Sequence, residues 1–348
     1  MRQVQRLYDL AISEFSRMVV RLDVDPEKPF SFKDYPIARR EAAKIIRKLV
    51  IGLEKIVQTG IKEQWLFANK KNDAFLESIL RTSKVPKEML AKMQDRNLDA
   101  LKTFQDRKID GLNISDRIWK QMEVFQQSME LAIDVGIGEG RSAQQLSRDI
   151  RQNLLQPDKL FRRVRDARGQ LQLSKAAKAY HPGRGVYRSS YKNAMRLTRT
   201  EVNMAYREAD RLRWTKLDFV VGFEVKLSNN HTLNGEPFRD ICDDLAGKYP
   251  KWFVYKSWHP QCRCFAIPIL SDPNEFKADE LNELRAAIKG TEYRKYSSKN
   301  EIKDVPEAFK RWAAENQERV DRLKSTPYFI KDNFKGGRIG EGLKIASD

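Results

Sequence analysis

The sequence has few cysteines, few histidines and no long apolar run. Three cysteines and three histidines occur among its 348 residues. The odd cysteine count, and a start without the apolar region of a secretory signal, argue against a disulfide scaffold and favour a reducing compartment. No stretch reaches the ~18 apolar residues that a membrane span needs. We therefore predict a chain with no membrane span that stays in the cytosol unless a particle carries it out.

Acidic residues are also scarce beside basic ones. The chain has 66 Lys or Arg residues and 48 Asp or Glu residues, a net charge of +18. Such a chain is expected to bind polyanions. Nucleic acid is the usual partner and an anionic membrane surface the second, while a solvated basic surface is the plain alternative.

Much of this charge is concentrated in residues 158–199, which contain 12 Lys or Arg residues and two acids. The middle of the segment interleaves tyrosines with basic residues and glycines, a composition that suits phosphate contacts and base stacking in a flexible loop. We predict DNA binding without sequence preference. The candidate residues are Arg162, Arg163, Arg165, Arg168, Arg184, Arg188 and Lys192.

All three cysteines and two of the histidines lie within 34 residues. They are His231, Cys242, His259, Cys262 and Cys264. Thiolate and imidazole are the ligands that Zn²⁺ prefers, and a structural zinc site takes four of them in a tetrahedron. The segment therefore predicts a structural Zn²⁺ ion, with either histidine as the fourth ligand beside the three cysteines.

The spacing of these residues favours one site. The string HPQC, 259–262, places two ligand types three apart on a tight turn that Pro260 would hold. In an extended strand Cys262 and Cys264 would point to the same face and could reach one metal ion together with Cys242. Two alternatives to a metal site stay open. The cysteines could be small buried core residues beside an incidental histidine, or two of them could form a disulfide.

Apolar periodicity predicts an α+β, mainly α fold, with a helical N-terminal body, a small zinc-stapled β module and a helical C-terminal tail. Predicted helices cover 2–22, 45–60, 61–81, 87–106, 115–136, 189–216, 275–288 and 306–323, and a capping box formed by Ser142 and Gln145 starts another. Predicted strands cover 219–226, 251–258 and 264–270. The predicted domains are 1–110, 111–216, 217–272 and 273–348, the last with a mobile glycine-rich end.

Glu201 falls within the small apolar stripe of the helix predicted over 189–216. A carboxylate there must be paired or hydrogen-bonded, or it will hold a proton. It could serve as a general base, but no second acid or histidine stands at a defined spacing. A structural ion pair with Arg196 or Arg199 is therefore the favoured interpretation.

Three strings carry a resemblance to a known family. They are RLTRTE (196–201), DICDDLAGK (240–248) and HPQCRC (259–264). In this order, over about residues 135–270, they resemble the MuF-like phage minor head (head morphogenesis) family, many members of which have a further cysteine where Arg239 stands. The resemblance implies a virion component that meets portal and capsid proteins in head assembly, packaging or genome delivery, and that is found in the host cytoplasm during assembly. It implies no settled enzymatic activity.

Three classes of function follow from these features. We predict a structural and interaction protein of the phage head and no enzyme, because thiolate-rich metal sites are typically closed whereas a hydrolase keeps an open metal position. The first alternative is a metal-dependent nuclease in which His231 or His259 activates water. The second is a toxin-delivery adaptor of a phage or mobile element.

Overall fold

The computed structural model describes residues 2–22, 30–80, 87–138, 142–155, 163–165, 167–173, 189–229, 231–233, 236–272, 274–275, 297–323 and 325–344. Its helices are α1 (Arg2–Val19), α2 (Pro36–Leu80), α3 (Lys87–Met93), α4 (Leu98–Asp106), α5 (Ile114–Gly138), α6 (Ala143–Leu155), α7 (Ser190–Thr215), α8 (Ile241–Leu245), α9 (Glu307–Asp321) and α10 (Tyr328–Asn333). Its strands are β1 (Arg163–Arg165), β2 (Leu171–Leu173), β3 (Val220–Lys226), β4 (Thr232–Leu233), β5 (Glu236–Pro237), β6 (Gly247–Tyr249) and β7 (Phe265–Leu270). The predicted class, α+β and mainly α, is confirmed. No helix in these ranges is long and apolar enough to cross a membrane.

The chain forms two compact units, each built from two segments. The helical unit contains Met1–Gly60 and Gln105–Arg199, and the thiol unit contains Ile61–Phe104 and Thr200–Asp348. Both α2 and α7 contribute residues to each unit. The finer division into four consecutive domains stays a prediction.

The helical unit buries the apolar stripes that the sequence predicted. In α1, Tyr8 and Phe15 are buried, and their rings lie 5.4 and 5.8 Å from the ring of Phe125 in α5. The predicted capping box at the start of α6 is confirmed. The Ser142 hydroxyl accepts the Gln145 N–H at 3.3 Å, and the Gln145 side chain accepts the Ser142 N–H at 2.8 Å.

The thiol unit contains a three-stranded antiparallel sheet in the order β6-β3-β7. Strands β3 and β7 confirm the predictions made over 219–226 and 264–270. Phe223 in the central strand pairs with Tyr249 on one side and Pro268 on the other. Beside the sheet, Trp258, Phe309 and further aromatic side chains fill the core of the unit.

Two predicted helix boundaries are wrong. The helix predicted to end at Gly60 continues to Leu80, because the buried side chains on both sides of the glycine keep the four-residue spacing of a single stripe. A glycine inside a helix costs only about 1 kcal/mol relative to alanine, which such burial outweighs. Conversely, the helix predicted over 87–106 is two helices. Asn97 between them has a φ of 50°, and the Asp95 side chain accepts its N–H at 2.9 Å.

The strand predicted over 251–258 is also wrong. Strand β6 lies earlier, at Gly247–Tyr249, and Pro250 follows it with no N–H to extend the ladder. The aromatic residues that suggested a strand fill the core from a loop, in which the Asn333 side chain bonds both the N–H and the carbonyl of Val254, at 2.7 and 2.8 Å. A side-chain amide thus takes the place of a neighbouring strand.

The C-terminal segment departs from the prediction of a mobile end. Within 328–344, α10 is followed by two 3₁₀ turns, and Phe334 and Ile339 are buried in the core of the thiol unit. Residues 345–348 lie outside the described residues. So does nearly all of the helix predicted over 275–288, whereas α9 confirms the helix predicted over 306–323.

Candidate metal centre

The three cysteines come together in the thiol unit. Their Sγ atoms all lie within 4.8 Å of one another, the side chains are buried, and the thiols are free. The Sγ atoms of Cys242 and Cys262 are 3.7 Å apart. Two thiolates on a tetrahedral Zn²⁺ ion with Zn–S bonds of about 2.3 Å would lie about 3.8 Å apart. The cluster could therefore hold a metal ion, and its spacing fits zinc.

A helix cap positions Cys242. The side chain of Asp240, the N-cap of α8, accepts the Cys242 N–H at 2.7 Å. The Asp243 side chain accepts the Asp240 N–H in return, at 2.8 Å, which completes a capping box. Because Cys242 lies in the first turn, this cap fixes where its thiol projects.

A tight turn positions Cys262, as predicted. The Cys262 N–H bonds the carbonyl of His259 at 3.1 Å, Pro260 occupies the second position, and Gln261 has a φ of 65°, the pattern of a type II turn. The expectation that a strand orients Cys262 and Cys264 is wrong, because β7 begins only at residue 265. Cys262 closes the turn, and Cys264 comes directly before the strand.

His259 is the histidine beside the thiols. Its Nε2 atom lies 3.0 Å from Cys242 Sγ and 3.3 Å from Asp240 Oδ2. Its Nδ1 atom lies 2.8 Å from the carbonyl oxygen of Pro260. With Nδ1–H donating to that carbonyl, the Nε2 lone pair is available to a metal ion, an arrangement typical of histidine ligands.

His231 belongs to a different group. Its Nε2 atom lies 3.0 Å from Asp243 Oδ2 and 3.7 Å from Asp240 Oδ1, and its ring stacks on Phe238 at 4.3 Å. These two carboxylates and His231 form one further set of ligand atoms within 4.8 Å of one another, and Asp240 also forms such a set with Cys242 and His259. Sequence reasoning missed both aspartates, although the capping pattern at 240–243 was a readable signal.

Hydrogen bonds among the three thiols shift their pKa values in different directions. Hydrogen bonds from Cys242 and then Cys264 lower the pKa of Cys262, whereas hydrogen bonding to Cys262 and then Cys264 raises the pKa of Cys242. For Cys264 the bond with Cys242 lowers the pKa, but the contact with Cys262 and burial outweigh it and raise the pKa to about 12. A metal ion that binds all three thiols as thiolates must displace the protons that they carry, and the raised pKa values of Cys242 and Cys264 oppose that loss.

The other predicted polar site lies on α7. Glu201 is fully buried, as its place in the apolar stripe required. The Arg196 guanidinium donates two hydrogen bonds to Asn193 Oδ1, at 2.8 and 3.0 Å, and the Arg199 side chain is exposed. The ion pair of Glu201 with either arginine stays a prediction.

The candidate DNA-binding residues are only partly described. Arg163 and Arg165 lie in β1, which pairs with β2 in a hairpin that the sequence did not predict. Arg168 is exposed in the turn between these strands, and Lys192 lies in the first turn of α7. Arg162, Arg184 and Arg188 lie outside the described residues, as does most of the predicted loop.

The cluster of three thiols beside an imidazole is the most distinctive chemical feature of the described residues. Its ligand types and spacing are those of a site that could hold a metal ion. Comparisons of the chain with protein-family models, with curated proteins and with solved structures found no match.

Proposed function

We propose that Cys242, Cys262, Cys264 and His259 hold one Zn²⁺ ion with a structural role. The thiol spacing, the orientation of the imidazole and the burial of the cysteines support this assignment. A site with four protein ligands has no open position for substrate. When bound, the ion would supply free energy of folding to the thiol unit.

We infer further that the chain is a phage minor head protein of the MuF-like kind, acting by assembly near the portal. One observation carries this inference. The three strings of the resemblance meet at one site, since Thr200 Oγ1 accepts the Gln261 N–H at 3.0 Å and Cys242 lies beside Cys262. Residues far apart in the chain thus form one structural module, as expected of a family signature. Portal and capsid proteins are the proposed partners, in the virion and in the host cytoplasm during assembly.

The zinc site is tested by metal analysis of the purified chain. Native mass spectrometry should find about one Zn²⁺ per chain, and chelation should lower the melting temperature. Cys262→Ser and Cys264→Ser should each lose the ion, and His259→Ala should weaken binding far more than His231→Ala. Because protons must leave Cys242 and Cys264, whose pKa values are raised, affinity should fall as the pH falls. A chain without metal, whose melting is indifferent to chelator, would rule out the site.

The assembly role is tested in a phage that carries the gene. Deleting the gene should give defective or non-infectious heads, and the protein should co-purify with portal. Cys262→Ser should fail to restore assembly. The proposal gives Glu201 no catalytic role, and glutamine has nearly the same shape. A Glu201→Gln protein that folds should therefore largely restore assembly. Infectious heads formed without the gene would contradict the proposal.

A metal-dependent nuclease is the second candidate, favoured by the half-buried group of His231, Asp240 and Asp243. Their nitrogen and oxygen atoms are ligands that a more open cation site would use. We expect plasmid and single-stranded DNA to stay uncut with Zn²⁺, Mg²⁺ or Mn²⁺. Cleavage that is lost in His231→Ala, while the thiols still hold their metal, would establish the nuclease instead.

A further inference from the structure

Arg207 on α7 reaches the segment that carries two of the thiols. Its side chain is buried, and its guanidinium donates to the carbonyls of Lys256, Cys262 and Cys264 at 2.8, 2.8 and 2.6 Å. Two of these three carbonyls belong to proposed metal ligands. One guanidinium nitrogen, Nη2, bonds the carbonyls of both Cys262 and Cys264, so it constrains the backbone on both sides of residue 263.

Other residues on the same face of α7 bind the same segment. Thr200, Asn203 and Arg207 are spaced three and four residues apart, which places them on one face of a helix. Thr200 accepts the Gln261 N–H, and the Asn203 side chain donates to the Cys262 carbonyl at 3.4 Å. This face of α7 therefore holds the turn and the residues that follow it.

The charge of Arg207 needs a counterpart. Among the described residues its hydrogen-bond acceptors are carbonyls and none is a carboxylate. A buried cation without an anion is costly. Three thiolates and a neutral imidazole on Zn²⁺ carry a net charge of −1, which one guanidinium balances. The ring of Tyr255 lies 5.4 Å from the guanidinium, and the Tyr255 hydroxyl lies 3.7 Å from Cys262 Sγ, so the cation and the thiols share one buried environment.

We propose that Arg207 is a positioning residue of the metal centre. It holds the carbonyls of Cys262 and Cys264 so that both thiols face one point, and it balances the negative charge of the metal–thiolate group. The inference rests on the proposed zinc site. It assigns to this face of α7 a role in metal affinity.

The test compares three variants of the full chain. Arg207→Met keeps the packing of the stem and loses the charge and the donors. Arg207→Lys keeps the charge and some N–H donors but loses the guanidinium, which bonds the carbonyl of Lys256 with Nη1 and those of Cys262 and Cys264 with Nη2. The matched control is Arg211→Met, one turn later on α7, where the guanidinium pairs with Glu208 at 2.8 Å. Zn²⁺ affinity is measured by competition with a chromophoric chelator, and the site geometry by the absorption of bound Co²⁺.

We expect Arg207→Met to weaken Zn²⁺ binding by about 10- to 100-fold, the usual loss when a residue that orients metal ligands is removed. Arg207→Lys should fall in between, because a single ammonium nitrogen cannot reach the Lys256 carbonyl as well as those of Cys262 and Cys264, whereas two guanidinium nitrogens together reach all three. The thiolate-to-Co²⁺ band should shift in both Arg207 variants, which a loss of general stability alone would not produce. Arg211→Met should match the parent in affinity and in spectrum.

Each remaining outcome separates this inference from the zinc proposal. If Arg207→Met binds Zn²⁺ as tightly as the parent, the inference about Arg207 is wrong and the zinc site is unaffected. If Arg207→Met does not fold, parental Zn²⁺ affinity in Arg207→Lys leads to the same conclusion. An equal loss in Arg211→Met also overturns the inference, because the effect would then be one of packing. A parent chain that holds no metal overturns the zinc site and this inference with it.

Discussion

Gln261 lies in the turn formed by residues 259–262, in a backbone conformation that residues with a Cβ disfavour. Its φ of 65° lies in the left-handed region, which costs a residue with a Cβ about 1–2 kcal/mol. We expect Gln261→Gly to leave stability unchanged or raise it by up to about 1 kcal/mol, and the β-branched Gln261→Val to lower it by about 1–2 kcal/mol. Urea unfolding of the metal-loaded chain measures both. Gln261→Asn, which tolerates this region, is the control, and equal stability of the Val and Gly variants would contradict the prediction.

At the residue scale, the sequence showed the candidate ligands but few of the groups that orient them. Cysteine and histidine are rare enough for their clustering to predict a site, and Pro260 marked the turn. Choosing between two histidines required the fold, because only His259 has its ring held against the thiols. Arg207 was missed for a different reason. Arginine is almost never fully buried unless it is paired, so periodicity alone assigns it to a solvated face.

At the element scale, a polar network joins α2 and α7 within the thiol unit. Arg213 has a side chain that is 0% exposed and donates to Asp73 at 2.7 Å, whereas Arg96, 49% exposed, pairs with the same carboxylate at 3.2 Å. Asp73→Ala leaves the buried cation without its anion and should lower the free energy of unfolding by about 3–5 kcal/mol. Arg96→Ala should cost less than about 1 kcal/mol.

Chemical denaturation of the single variants measures both losses. Adding Arg213→Met to Asp73→Ala should recover part of the stability, because it removes the stranded charge. If Asp73→Ala and Arg96→Ala lower the free energy of unfolding equally, the buried ion pair of Arg213 contributes no more than the exposed pair of Arg96.

Elements were predictable where a local pattern decided them. The amphipathic stripes of α1, α5, α7 and α9 give their positions to within a few residues, and the Ser142 cap fixes the start of α6. Errors arose where distant contacts overruled the pattern. The aromatic residues in 251–258 favour a strand on propensity, yet a side chain some 80 residues further on supplies the backbone partners of Val254.

At the scale of the whole molecule, composition predicted the fold class, whereas the two compact units became visible only in the structure. Each compact unit combines two segments that are far apart in sequence. Long helices contribute to both units, so no composition shift or linker marks the boundary. The predicted four-part division uses consecutive segments, because contacts between distant segments leave no local signal in a sequence, and it stays a prediction.

Net charge is the property of the whole molecule that most directly predicts a partner. We expect DNA binding without sequence preference that weakens steeply with salt, because basic residues release counterions from phosphates. Neutralising four arginines of the basic segment to glutamine should weaken binding and reduce the slope of log affinity against log salt by up to about 3–4 on duplex DNA. These are Arg162, Arg163, Arg165 and Arg168. The matched control neutralises four exposed basic residues of α2, which are Arg39, Arg40, Lys44 and Arg47.

Both quadruple variants change the net charge equally, so only the position of the removed charge differs between them. Fluorescence anisotropy with random duplex and single-stranded DNA, over a salt series, compares the two. If the basic segment contacts phosphates, its variant loses affinity and slope on both substrates, while the α2 variant stays near the parent. If the two variants lose the same affinity and the same salt slope, DNA binding depends on net charge alone and residues 158–199 are a solvated face.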